Sequence, residues 1–212
     1  MKRILDMIEL NDRDYIAEGV ARKVYQHPEY PNRCIKIGKA EIEEHHLYKE
    51  INYHIKIKSK NRAKFDYPFF AEYHGEVSTN LGKGFIYDLI RDESSQSVSL
   101  TLRHYIEMPN SPLSDTLILE ELEHLKQQMI KNKIFVGDLR ARNICCKMLK
   151  DGSVQFIVID GLGHRDFLPL ADWFGYFARK KVERRFVKAN LQSLDAQRDL
   201  LKRLRASGTK YV

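Results

Sequence analysis

Through the first part of the chain, short apolar segments recur with the alternation that suits half-buried strands. Between positions 14 and 38 the pattern runs through Ala17-Glu18-Gly19-Val20, Val24-Tyr25 and Cys34-Ile35-Lys36-Ile37. HPEYPN at 27–32, with two Pro and an Asn, interrupts it as turn chemistry. From 41 to 58 the period turns helical, Leu47, Ile51 and Ile55 recurring every four residues. Two further strands are predicted at 69–77 and 84–90, around a loop carrying Asn80 and Gly82.

The second half reverses the balance. After a polar stretch at 91–97 comes a short helix candidate at 100–106, broken near Pro109 and Pro112. Ser114 or Asp115 then N-caps an amphipathic helix whose face is Ile118, Leu122, Leu125 and Met129, with Lys131 and Lys133 suiting its C-terminal end. Ile134-Phe135-Val136 leads into Gly137-Asp138-Leu139-Arg140-Ala141-Arg142-Asn143. A hairpin follows, 144–148 and 154–159 about Lys150-Asp151-Gly152, ending on Asp160. Everything beyond Asp166 reads as helix. Strands first and helices second, with a polar joint near 90, predict an α+β protein divided at 1–90 and 91–212.

Composition narrows the class. A chain of 212 residues with 43% hydrophobic residues can bury a core, and eleven Tyr and ten Phe make part of it aromatic. No apolar run approaches a membrane span, and the N-terminus turns acidic too early for a signal peptide. Three cysteines, two of them the adjacent Cys145 and Cys146, make no disulfide framework; buried strand residues are preferred over a redox pair, and a reducing cytoplasm fits.

Four features carry chemistry. Lys36 lies inside an apolar strand, and Glu50 lies beside the apolar stripe of the next helix. Asp138 and Asn143 share a loop, and Asp160, followed by Gly161-Leu162-Gly163, ends an apolar strand. Phosphoryl transfer uses these types: a lysine on the phosphates, a glutamate holding it, an aspartate accepting the hydroxyl proton, and Asn plus Asp on magnesium. Each residue also has a plainer reading. Lys36 could guard a sheet edge, Glu50 could be solvated with Glu43 or Glu44 in its place, and Asp138, Asn143 and Asp160 could serve turns.

The order Lys, Glu, Asp-x4-Asn and Asp-Gly, set in strand, helix, loop and strand, resembles the protein-kinase-like superfamily. More closely the chain resembles the bacterial YrbL family, described as PhoP-regulatory-network proteins and itself kinase-like. The matching stretches are ARKVYQHPEYPNRCIKI (21–37), FFAEYHGEV (69–77), KGFIYDLIRD (83–92), SLTLRHYI (99–106), DLRARNICC (138–146) and FIVIDGLG (156–163). The resemblance implies a two-lobed kinase-like fold, with a strand-rich N-lobe and a helical C-lobe, binding ATP and Mg2+. It implies Lys36 as the phosphate-binding lysine, Glu50 as its partner, Asp138 as the base and Arg140 as a phosphate-facing cation. Asn143 and Asp160 become the metal ligands, Gly19 the remnant of the glycine-rich loop, and Asp88, Leu89 and Ile90 the backbone that reads adenine. Val136-Gly137 stand where His-Arg is usual, and Gly161-Leu162 where Phe-Gly is usual. The expected activity is phosphotransfer to an alcohol group; the alternative is a pseudokinase-like regulator that binds a nucleotide or a partner. Only about a dozen residues separate Asp160 from Asp172-Trp173-Phe174, and no Ala-Pro-Glu follows. The expected acceptor is therefore a small molecule, sugar or lipid headgroup rather than a protein.

The net charge of +7 is concentrated: residues 176–212 hold eleven Lys or Arg against three Asp or Glu. Trp173, Phe177 or Ala178, Val182 and Phe186 make one apolar stripe there, and Leu191, Leu194, Leu201 and Leu204 a second. A solvated basic face is the preferred reading. The sharper alternative is a surface for an anionic membrane or a phosphorylated acceptor, which would add a peripheral place at the inner membrane. Nucleic acid is disfavoured because no dedicated motif accompanies the charge.

Overall fold

The computed structural model of the chain describes residues 7–39, 44–60, 69–163 and 175–207. It divides into two units: Met1–Lys60 with Ala71–Ile90, and Asn61–Phe70 with Arg91–Val212. The architecture is α+β.

Unit 1 is an antiparallel sheet of five strands with one helix. The strands are β1 (Tyr15–Glu18), β2 (Arg22–Gln26), β3 (Arg33–Gly38), β4 (Tyr73–Thr79) and β5 (Gly82–Asp88), in the order β1-β2-β3-β5-β4. β3 is central, and four successive residues from Cys34 to Ile37 are buried because both sheet faces are covered. On one face Ile35 and Ile37 pack with Leu10 and Tyr25. On the other, the register sets Lys36 opposite Phe85 and Cys34 opposite Tyr87. The 69–77 strand begins later than predicted, at Tyr73. Phe70 instead bridges Val158, and the Phe69 carbonyl accepts from the Val158 amide at 2.9 Å, so these two aromatics belong to unit 2.

Helix α1 (Glu44–Lys60) lies in the predicted segment, but its buried face differs. Glu50, Ile51, Tyr53, His54 and Ile57 are buried, whereas Ile55 is 53% exposed. Ile55 sits about 140° around the helix from Glu50 at ~100° per residue. The interior takes Glu50 and His54, which an apolar count starting at Leu47 passes over; the predicted start at 41, Glu43, and the Glu44 and Leu47 side chains lie outside what is described.

Unit 2 holds helices α2 (Leu102–Glu107) and α3 (Asp115–Asn132), the hairpin β6 (Ile144–Met148) and β7 (Val154–Val158), and helices α4 (Gly175–Lys188) and α5 (Leu194–Ala206). The Ser114 hydroxyl caps α3 by accepting from the Leu117 amide at 3.2 Å, and Lys133 ends it in the left-handed region. Ile118, Leu122, Leu125 and Met129 are its buried face, as the periodicity requires. Val182, Phe186, Leu191, Leu194 and Leu201 are buried, so the basic C-terminal segment does carry an apolar stripe. Trp173 and the Phe177 and Ala178 side chains lie outside the described residues. Arg198 reaches from α5 to both oxygens of Asp115, at 2.5 and 2.8 Å, and Arg205 pairs with Glu107 on α2 at 2.9 Å. Cys34, Cys145 and Cys146 are buried thiols in no disulfide, and burial pushes the Cys146 thiol far above its ordinary pKa, which suits packing rather than redox chemistry.

Candidate functional site

In unit 1, Lys36 is only 6% exposed, and its strand is central, so the edge-guarding reading does not hold. Its ammonium stands 4.3 Å from the centre of the Tyr87 ring, a cation–π arrangement in a mostly dry setting. Glu50, equally buried, accepts from the Arg22 guanidinium. Arg22 begins β2 and escaped notice in the sequence, where it is one of many surface-like cations. Gly19 lies in the β1–β2 turn, donating its amide to the Arg22 carbonyl at 2.8 Å. A Cβ on Gly19 would meet nothing nearer than that carbonyl at 4.0 Å, so the fold itself does not demand glycine there.

Asp88 closes β5. One carboxylate oxygen accepts from the Glu72 amide at 2.8 Å, and the other lies 2.6 Å from His74 Nε2. The Leu89 amide donates to the Asn32 carbonyl at 2.9 Å. Of the predicted adenine-reading segment, the Asp88 side chain and the Leu89 N–H are therefore committed to the protein's own structure. Ile90 is half-buried and ends unit 1.

In unit 2 the backbone assembles the predicted loop. Val136 bridges Leu162, the Gly161 carbonyl accepts from the amides of Gly137 at 2.8 Å and Asp138 at 3.3 Å, and the Gly163 amide reaches the Phe135 carbonyl at 2.9 Å. The Ile159 amide donates to the Asn143 carbonyl at 2.9 Å. Residues some twenty positions apart thus meet: Asp138, Asn143 and Asp160-Gly161 share one place. Gly161 has φ +81, and a Cβ on it would stand 2.9 Å from Asp138 Cβ and 3.1 Å from the Asp138 carbonyl. Glycine here is dictated by both backbone and space.

The Asn143 side chain is 93% buried by its 7% exposure, and its amide nitrogen donates to the Asp138 carbonyl at 2.8 Å and to Asp138 Oδ2 at 3.3 Å. With the nitrogen so committed, the amide oxygen is left as a hard donor. Arg140 Nε lies 2.9 Å from Asp138 Oδ1, and Arg142 Nη2 3.7 Å from Oδ2. Burial, followed by the neighbouring Arg140, holds the Arg142 pKa below its ordinary value, while Asp138 and Asp160 oppose that shift. Asp160 thereby lies within electrostatic reach of the same cluster. Among the described residues no three His, Cys, Asp or Glu converge as a metal cage. Asp160 with the Asn143 oxygen is instead a sparse oxygen set, the kind magnesium accepts while keeping its waters.

Sequence reasoning placed Asp138, Arg140, Asn143 and Asp160 but passed over Arg142, Arg103 and Gln197. Arg103 on α2, Arg185 and Lys188 in the last turn of α4, and Gln197 on α5 line a cavity of about 330 Å³ together with the 137–142 loop. Only the three-dimensional fold brings those helices to the loop. No described helix is long and apolar enough to cross a membrane.

Residues 8–192 match the family described as PhoP regulatory network protein YrbL. Proteins titled "Uncharacterized protein YrbL" from Escherichia coli (strain K12) and Shigella flexneri are each 30% identical over 199 residues, covering 92% of this chain and 93% of theirs. With a family match across most of its length and relatives aligned nearly end to end, the chain belongs to the YrbL family.

Proposed function

We propose that this protein is an ATP- and Mg2+-dependent phosphotransferase of the two-lobed protein-kinase-like fold, acting on a hydroxyl of a small molecule, sugar or lipid headgroup. The observation that carries the reading is the convergence of Asp138, Asn143 and Asp160-Gly161 through backbone hydrogen bonds rather than chance surface proximity. In it, unit 1 is the strand-rich lobe, whose buried Lys36 supplies a fixed positive charge for phosphate oxygens. Asp160 and the Asn143 oxygen would hold magnesium, which when bound neutralises phosphate charge. The acceptor oxygen gains the terminal phosphoryl group of ATP, ADP leaves, and the hydroxyl proton passes to Asp138. Arg140 and Arg142 offset charge that develops on the transferred group.

Thermal unfolding tests the reading. ATP with Mg2+ stabilises the folded state, by about 2.7 kcal/mol at a hundredfold excess over Kd. Asp160→Ala and Lys36→Met lose most of that stabilisation, and Asp138→Asn abolishes slow ATP hydrolysis while keeping the stabilisation. No thermal shift at millimolar nucleotide sinks the reading. One observation favours a second one, a nucleotide- or partner-binding regulator without turnover: Arg140 Nε at 2.9 Å and Arg142 Nη2 at 3.7 Å stand on the two carboxylate oxygens of Asp138, the atoms a base would turn to the acceptor hydroxyl. The family's description as a PhoP regulatory network protein agrees with a regulatory role. Intact nucleotide binding without any hydrolysis that Asp138→Asn removes selects that second reading.

A further inference from the structure

The 330 Å³ cavity beside the Asp138 loop has a one-sided charge. Among the described residues Arg103, Arg140, Arg142, Arg185 and Lys188 line it, against one carboxylate, that of Asp138. Three of the cations are already engaged: Arg103 Nε donates to Glu107 at 3.2 Å, and Arg140 and Arg142 pair with the two oxygens of Asp138. Arg185 and Lys188 stand in the last turn of α4, where the helix dipole already favours cations, and neither has a carboxylate partner among the described residues. Arg142 lines the same wall beside Arg140. Gathering like charges this way costs stability that an anion would restore.

A second, independent feature points the same way. Gln197 lines the same cavity at 4% exposure, and its side-chain Oε1 is buried without a hydrogen-bond partner. A buried amide oxygen left unmet is destabilising, a deficit that a ligand's O–H would remove. Leu200, Leu201 and Leu204 give the rest of the wall an apolar surface. The volume lies at the small end of ligand pockets, the scale of a monosaccharide phosphate.

From this geometry we infer that the cavity is a binding site for a phosphate monoester that also carries free hydroxyls. Arg185 and Lys188 receive the phosphate, a hydroxyl donates to Gln197, and the ligand lies against the loop bearing Asp138. Guanidinium forks match phosphate oxygens in pairs, and a dianion offsets more of the clustered charge than a carboxylate does. The inference rests on the phosphotransferase reading only for its final step, that such a ligand is the acceptor. Binding itself stands on the cavity.

The experiment uses the full chain without nucleotide. Isothermal titration with glucose 6-phosphate, ribose 5-phosphate and glycerol 3-phosphate is compared with glucose and with inorganic phosphate. At least one ester binds at least tenfold tighter than inorganic phosphate, and glucose does not bind. The double variant Arg185→Gln/Lys188→Gln weakens that binding tenfold or more, and Gln197→Leu weakens the ester while leaving inorganic phosphate unchanged. Flotation with vesicles containing phosphatidic acid distinguishes the source: vesicle binding lost in the double variant, with no response to soluble esters, assigns the phosphate to a lipid headgroup. No ester and no such vesicle binding, or binding that survives the double variant, overturns the inference. ATP–Mg2+ stabilisation is measured alongside: an ester that binds a protein unresponsive to nucleotide leaves the pocket standing and the phosphotransferase reading fallen.

Discussion

Gly161→Ala offers a test of the loop that can be worked from the structure, because Gly152 provides a matched control. Both glycines sit in unit 2 in the left-handed region, at φ +81 and +84. Placing alanine in that region costs roughly 1–2 kcal/mol from backbone sterics alone. At Gly152 an added Cβ meets nothing within 4 Å, so this is the whole expected loss. At Gly161 the same Cβ comes to 2.9 Å from Asp138 Cβ, 3.1 Å from its carbonyl and 3.3 Å from its Cα. None of these is the flexible end of a side chain. The Gly161 carbonyl also holds the amides of Gly137 and Asp138, so the loop cannot retreat without loosening those bonds. Forcing a methyl into such a contact adds roughly 1–3 kcal/mol. The expected losses are therefore about 1–2 kcal/mol for Gly152→Ala and about 2–5 kcal/mol for Gly161→Ala. Urea unfolding followed by circular dichroism measures both, with unchanged m-values required for the comparison. Equal losses, within about 0.5 kcal/mol, refute the close packing of Gly161 on Asp138.

Two further predictions examine unit 1. Ile51→Ala removes a fully packed side chain and costs about 2–4 kcal/mol, whereas the exposed Ile55→Ala costs under about 1 kcal/mol; the reverse order in urea unfolding overturns the assigned face of α1. His27 is buried, its Nδ1 accepts from the Glu29 amide at 3.2 Å, and desolvation, reinforced by Arg33 and opposed by Glu29, lowers its pKa from the ordinary 6.5. The unfolded chain then takes up a proton that the folded one refuses, so His27 contributes stability that is present above pH 6.5 and lost as pH falls below it toward the folded value. His27→Asn keeps an acceptor for the Glu29 amide and flattens that part of the pH dependence; wild type and variant with parallel stability–pH curves between pH 7.5 and 5.5 contradict it.

What the sequence made legible was local. The Ser114 cap, the four-residue spacing of Ile118, Leu122, Leu125 and Met129, and the β6–β7 hairpin follow from rules spanning a few residues, and the structure has all three. Asp138, Asn143 and Asp160 stood out in the sequence by order and setting, but that backbone bonds gather them in one place was not legible there. Where the reading slipped, tertiary packing overrode local preference. The inward face of α1 accepts Glu50 and His54 because Arg22 and the ring of Tyr87, 5.5 Å from His54, meet them there, and no periodicity of apolar residues encodes that. The cavity lined by Arg103, Arg185 and Gln197 was invisible because its walls come from segments nearly a hundred positions apart.

The pairing of Phe69 and Phe70 with β7 bears on how the chain is made. Unit 1 has its last strand by Asp88, yet two aromatic residues inserted before β4 have their partner in Val158. During synthesis the Val158 amide that pairs with the Phe69 carbonyl follows almost ninety residues later, about 4–18 s at roughly 5–20 residues per second. The bond that ties this segment to β7 therefore closes only after β7 itself has been made, long after the last strand of unit 1.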